Sequence, residues 1–147
     1  MKLNNGDDQL FSSDDFVKLA EKHIASILEL LISGRKEFSI IVKPKYILMK
    51  PDLDIFQKPE EYVKFDLIGY SFETSEVIKD KFIFRAGFGQ DKNIRESEVS
   101  MNLKNIFQIV TIKSKPIFMN FSEPSETKKI DRSKMFMSKN RNLGKTE

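Results

Sequence analysis

The residues able to do chemistry in this 147-residue chain are few and far apart. His23 is the single histidine and cysteine is absent. That removes thiolate zinc sites, a Cys nucleophile, a disulfide scaffold and the usual multi-histidine metal centres. His23 falls beside Ala20 and Ile27 in an apolar stretch, and without partner ligands it reads as a buried or interface side chain rather than a catalytic one. Asp52 and Asp54 lie between Pro51 and Pro59. Their spacing suits a cation or an acid–base pair, but solvated turn acids are the plainer reading. Ser12 and Ser13 precede Asp14 and Asp15 and serve better as helix caps than as nucleophiles, because one histidine is a thin basis for a triad. Gly87-Phe-Gly89 lacks the following helix and the Lys-Ser/Thr pair of a phosphate loop, and reads as a hairpin turn. Phe82, Phe84 and Phe88 are candidates for stacking bases, yet only Lys81 and Arg85 lie near, so core filling is favoured. No nucleophile–base pair is visible. The expectation is a binding module, not an enzyme, with no cofactor and no metal.

The elements that position these residues follow from periodicity. Residues 1–12 are polar and expected to be flexible. Phe16, Ala20, Ile24, Ile27, Leu28 and Leu31 recur at three- and four-residue steps, which predicts an amphipathic helix over about 14–33. Ser12 and Asp15 have capping-box spacing, and Gly34 sits where a helix stops. Strand-like runs follow: Phe38–Val42, Tyr46–Met49, Tyr62–Leu67 and Tyr70–Phe72. Lys81–Ala86 alternates, with Phe82, Phe84 and Ala86 on one face, and Glu96–Asn102 reads as its return strand, with Val99 and Met101 inward. Leu103–Ile112 fits either a helical face or a strand, and Ile117–Phe121 closes the series. One helix and about six short strands predict an α+β, mostly β domain: the helix packed on a small, mostly antiparallel barrel or sandwich.

Length and composition bound the class. The chain suits one domain and is too short for two well-cored ones. Hydrophobic residues are 39% and charged residues 32%, with 13 Phe, a globular mix with enough aromatic area for a small core. No apolar run nears the roughly 20 residues of a spanning helix. The N-terminus lacks the apolar core of a secretory signal, so a cytoplasmic protein is expected. The net charge of +3 is uneven. Thr127–Glu147 holds seven basic residues against two acids, a tail of +5 that leaves −2 on residues 1–126. The division expected is a flexible stretch 1–12, one domain over 13–125 and a flexible basic tail over 126–147. Basic residues confined to a tail weigh against nucleic-acid binding through the folded face, but leave open a tail acting on phosphates.

The segment Phe84-Arg-Ala-Gly-Phe-Gly89 resembles the aromatic-x-Ala-x-Phe-Gly strand of the SspB family, bacterial adaptors that deliver tagged proteins to the ClpXP protease. Val99–Phe107 is similar to that family's β-branched return strand and apolar turn, with Asn102 where Pro is frequent and Lys104-Asn105 in place of small Ala residues. Met119–Pro124 is similar to its closing segment, and the helix-then-strands order extends the likeness over about residues 14–124. The resemblance implies a helix-flanked, SspB-like (Sm/SH3-like) β-barrel that dimerises partly through the helix, here through Phe16, Ala20, His23, Ile27 and Leu31. It implies a groove for an extended degron peptide such as the ssrA tag, with Phe84, Ala86, Phe88, Met119 and Phe121 as peptide-binding residues. It also implies a tail that docks on a ClpX-type ATPase, for which Arg132, Lys134, Met135, Phe136 and Met137 are the candidates, although family docking motifs lie at the extreme end of the chain.

The leading expectation is thus a dimeric proteolysis adaptor with degron-tagged proteins and a ClpX-type ATPase as partners. The alternative is a small nucleic-acid-binding β-barrel using its basic tail. A pure dimerisation partner is a weaker third reading.

Overall fold

A computed structural model of the chain describes residues 5–123, with side chains from Gln9 onward. The residues expected to dock on an ATPase, Arg132 to Met137, lie outside the described residues. Within the segment expected to be flexible, residues 5–12 form helix α1 (Asn5–Ser12). Helix α2 (Asp14–Ser33) has the predicted limits. Its N-cap is Ser13, whose Oγ accepts the Phe16 amide at 3.2 Å, and Asp14 and Asp15 place negative charge at the positive end of the helix dipole. At the other end Gly34 keeps φ −82°, and Arg35 takes the left-handed conformation, φ 58°. Gly34 suits the position for a different reason: a Cβ there would crowd the Leu30 carbonyl oxygen at 3.0 Å.

Eight strands follow among the described residues: β1 (Phe38–Val42), β2 (Leu48–Lys50), β3 (Val63–Leu67), β4 (Glu76–Ile78), β5 (Lys81–Phe88), β6 (Arg95–Asn102), β7 (Ile106–Val110) and β8 (Pro116–Met119). The run at Tyr70–Phe72, expected as a strand, belongs to a one-turn helix, α3 (Tyr70–Glu73), which Gly69 (φ 57°) leads into. The ambiguous stretch resolves as a 3-10 turn at Leu103–Asn105 and then β7.

The strands form two four-stranded antiparallel sheets, ordered β3-β1-β7-β8 and β2-β6-β5-β4. The architecture is α+β, with an N-terminal helix and two open sheets. It is not a closed barrel, which corrects that part of the expectation. Closure would need the outer strands of one sheet to pair with those of the other, and among the described residues no such ladder forms. After β3 the chain turns instead into α3, whose C-cap Thr74 binds the β5 edge beyond β4, the Arg85 amide donating to Thr74 Oγ1 at 2.9 Å.

Phe38, Ile40, Leu67 and Ile109 from one sheet and Phe82, Phe84, Val99 and Met101 from the other fill the core. The β5/β6 hairpin has the predicted alternation, with Phe82 opposite Met101 and Phe84 opposite Val99. Helix α2 closes one end of the sandwich, against β4 and the Leu103–Asn105 turn. Its buried positions are Val17, Ala20, Ile24 and Leu28. Ile24 and Leu28 are fully buried, and each contributes about 1.5–3 kcal/mol of apolar transfer.

Candidate functional site

An open cleft lies where the two sheets fail to join. It encloses about 350 Å³, with Phe65, Phe84, Ala86 and Phe88 among its lining residues and Lys64, Asp66, Ile68 and Tyr70 about its margin. Both walls are strand edges. Among the described residues β3 pairs only with β1, so its other side carries no ladder. β5 pairs with β4 only through Lys81, Phe82 and Ile83. At Arg85 the Thr74 hydroxyl stands in for a neighbouring strand: it accepts the Arg85 amide and lies 3.3 Å from the Arg85 carbonyl oxygen. Backbone direction alternates along a strand, so the Gly87 amide and carbonyl, two residues on, face the same open side. Gly87 is a cleft residue.

The floor is aromatic. The Phe65 ring meets Phe84 edge-on at 5.5 Å and Phe88 at 6.4 Å. Phe84 is 1% exposed, whereas Ala86 and Phe88 are half-buried and accessible from the cleft. The charges at the margin are already engaged. Lys64 donates to Ser114 Oγ at 2.8 Å and lies 3.7 Å from Asp66, which accepts from Ser39 Oγ. At one end the Tyr70 hydroxyl donates to Glu96 Oε2 at 2.7 Å, and the Arg85 guanidinium donates to the same oxygen. Those two bonds, Tyr70 first, hold the Glu96 carboxyl below its usual range, and Glu96 in turn raises Arg85. Glu96 stands opposite Gly87 in the β5/β6 register. Tyr70 therefore ties the α3 corner to the hairpin across the cleft's end.

The proposed peptide-binding set divides. Phe84, Ala86 and Phe88 meet in the cleft. Met119 and Phe121 do not: Met119 sits on β8, opposite Gln108, and Phe121 lies beyond it, 61% exposed. β8 and β3 are the two outer strands of one sheet with β1 and β7 between them, a separation of three strand spacings, about 14 Å. Sequence reasoning missed Tyr70, Thr74 and Glu96. Gly69 was the available signal, since a glycine between Leu67 and Tyr70 argues for a corner rather than a continuing strand.

The helix residues also divide. Ala20 is buried, and Phe16, Ile27 and Leu31 are half-buried, with Ile27 and Leu31 against the chain's own core and Phe16 edge-on to Phe11. Only His23 of that set is exposed, and its ring meets Phe118 edge-on at 6.1 Å. The outward stripe is Leu19, His23, Ser26 and Leu30. The predicted stripe faces the core at Ala20, Ile24 and Leu28, joined by Val17, so the residues named for the dimer contact are mostly ones that the chain's own core takes.

Asp52 and Asp54 form a local turn, with Asp52 Oδ1 accepting the Asp54 amide at 2.9 Å. Gly89 takes φ 119° at the end of β5, and a Cβ there would lie 2.5 Å from the Asn93 carbonyl oxygen, so the Gly-Phe-Gly run is hairpin geometry. Among the described residues no group of three or more His, Cys, Asp or Glu is placed to hold a metal ion. Among the same residues no helix is long and apolar enough to cross a membrane.

A second recess, about 330 Å³, lies elsewhere, with Lys43, Tyr62, Lys104, Asn105 and Phe107 in its wall. Tyr62 stacks on Phe107 with centroids 4.5 Å apart, and the Lys43 ammonium stands 5.3 Å from the Tyr62 centroid.

What fold and site define is an α+β domain of two open antiparallel sheets with a cleft between two unpaired strand edges. No protein-family model matches the chain, and no curated protein or solved structure matches it either.

Proposed function

We propose that the protein is a non-catalytic, SspB-like adaptor that binds an extended peptide degron of the ssrA type in the Ala86 cleft and tethers its carrier to a ClpXP-type protease. The observation that carries this reading is the open β5 edge at Gly87, facing the unpaired edge of β3 across an apolar floor. Extended peptides bind such edges by strand addition: main-chain hydrogen bonds supply affinity, and a shallow pocket selects alternate side chains. The half-buried, small Ala86 permits close approach. The margin charges are bonded within the protein, so the cleft favours a neutral, small or aliphatic side chain over a charged one.

Delivery needs a second contact. The basic, methionine-containing segment Arg132-Ser-Lys-Met-Phe-Met137 is the proposed ATPase-docking element. Joining a peptide cleft and a docking segment in one chain raises the substrate's effective concentration at the protease, so micromolar peptide affinity suffices. The dimer belongs to the same proposal, with its helix contact moved to Leu19, His23 and Leu30.

The test is fluorescence anisotropy of a labelled ssrA-type peptide titrated with the full chain. Saturable, competable binding near micromolar is expected, with Ala86→Gln weakening it about tenfold or more at unchanged melting temperature. Deleting residues 127–147 leaves peptide binding intact and abolishes delivery. Absence of binding at about a hundred micromolar removes ssrA recognition. Unfolding of the Ala86→Gln protein would make Ala86 a core residue and remove the site.

A further inference from the structure

We propose that the recess beside Tyr62 is a second binding site, for single-stranded nucleic acid, independent of the Ala86 cleft. The two residue types such ligands require meet here. Tyr62 is stacked on Phe107, yet 49% of it remains exposed. A stacked aromatic pair with one member half exposed offers ring surface on which an unpaired base can stack. Lys104 is half-buried in the same wall and makes no ion pair among the described residues. A lysine with no ion-pair partner leaves its charge available to an anion brought by a ligand.

Lys43 links the two features. Its ammonium lies over the Tyr62 ring and 3.6 Å from Glu60. A lysine on a ring face is a weakly held cation, about 0.5–1 kcal/mol at an exposed site. An arriving base takes its place over Tyr62, and the flexible stem lets the ammonium follow the attached phosphate. Lys104, in the same lining, supplies a second cation for the phosphate.

The ligand class follows from size and charge. A recess of about 330 Å³ admits one unstacked base, not a duplex groove. Glu123 closes the wall, and the sequence then turns basic, beginning with Lys128 and Lys129. A repeating polyanion matches that run of cations, whereas a single carboxylate or phosphate does not.

The experiment is anisotropy of a short fluorescein-labelled oligo(U) titrated with the full chain at low and at physiological salt. Saturable binding that weakens about tenfold or more with salt is expected. Tyr62→Ala and Lys104→Glu should each lose about tenfold, Tyr62→Phe should bind like the parent, and melting curves should report all three folded. Ala86→Gln should bind oligo(U) normally, and Lys104→Glu should bind the ssrA-type peptide normally, so failure of either site is separable from failure of the other. The proposal is overturned by absence of oligo(U) binding, or by equal binding of double-stranded RNA. It is equally overturned if Tyr62→Ala and Lys104→Glu retain full affinity, which would assign binding to the basic C-terminal residues alone.

Discussion

The cleft at Ala86 and the recess at Tyr62 have similar volumes and opposite chemistry. In the cleft the charged side chains are bonded to neighbours, and what is left for a ligand is main chain and an aromatic floor. In the recess the main chain is committed: the Ile106 and Lys104 carbonyls both accept from Asn120 Nδ2 at 3.0 Å. What is left there is the half-exposed Tyr62 and the Lys104 ammonium, which makes no ion pair among the described residues. The difference comes from topology. The cleft lies between sheets, where strand edges end unpaired. The recess lies at the start of β7, an interior strand whose carbonyls already have partners. Unpaired backbone suits sequence-tolerant peptide capture, and loose cations beside rings suit a phosphate-bearing strand. One surface should be insensitive to salt and the other steeply sensitive.

The comparison can be broken most sharply through stability. Phe84 is both core and cleft floor, packed on Phe65 and Phe82. Phe84→Ala is expected to cost about 3–5 kcal/mol in denaturant unfolding, whereas truncating the half-exposed Tyr62 should cost far less. Equal losses would mean that the Tyr62 recess is as structural as the cleft floor.

A smaller effect sharpens the edge argument. Thr74→Val removes the hydroxyl that holds the Arg85 amide. Stability should fall by about 1–2 kcal/mol. The peptide should bind no more weakly, because one more amide on the β5 edge is freed. Loss of peptide binding at intact folding would show that the α3 corner, not the free edge, makes the site.

The smallest effect concerns the Tyr70–Glu96–Arg85 bond set. The Glu96 carboxyl is held below its ordinary value in the folded protein. Its contribution is therefore present above the unfolded carboxylate range, near pH 4.3, and is lost as pH falls through the lower folded value. Glu96→Gln should narrow the difference between the melting temperatures at neutral and acid pH, with little change at the acid end. A uniform shift across pH would mean that the bonds at the cleft's end contribute packing and not charge. No part of this effect should appear in oligo(U) binding.

Local sequence was enough for the parts of the molecule that local forces build. Helix α2 was legible because its period, its serine cap and Gly34 all act within a few residues. The β5/β6 hairpin was legible because alternation and the glycine turn lie side by side. So alternation alone put Phe84 and Ala86 on one face of β5, and their choice as site residues, with Phe88, came from the resemblance of that segment to the SspB strand. Tertiary structure decided the rest. Whether β3 meets β5 depends on a corner at Gly69 and on Thr74 binding a strand eleven residues away. Which outer strand carries Met119 depends on β1 lying between β3 and β7, a pairing of distant segments that leaves no periodic trace. Which face of α2 turns outward depends on what it packs against, and a broad apolar surface allows more than one phase. Pairing Tyr62 with Phe107, and setting Lys43 and Lys104 about them, joins positions dozens of residues apart. The chain's own chemistry determined the elements, and the closing of long loops decided which of their surfaces remained open to a ligand.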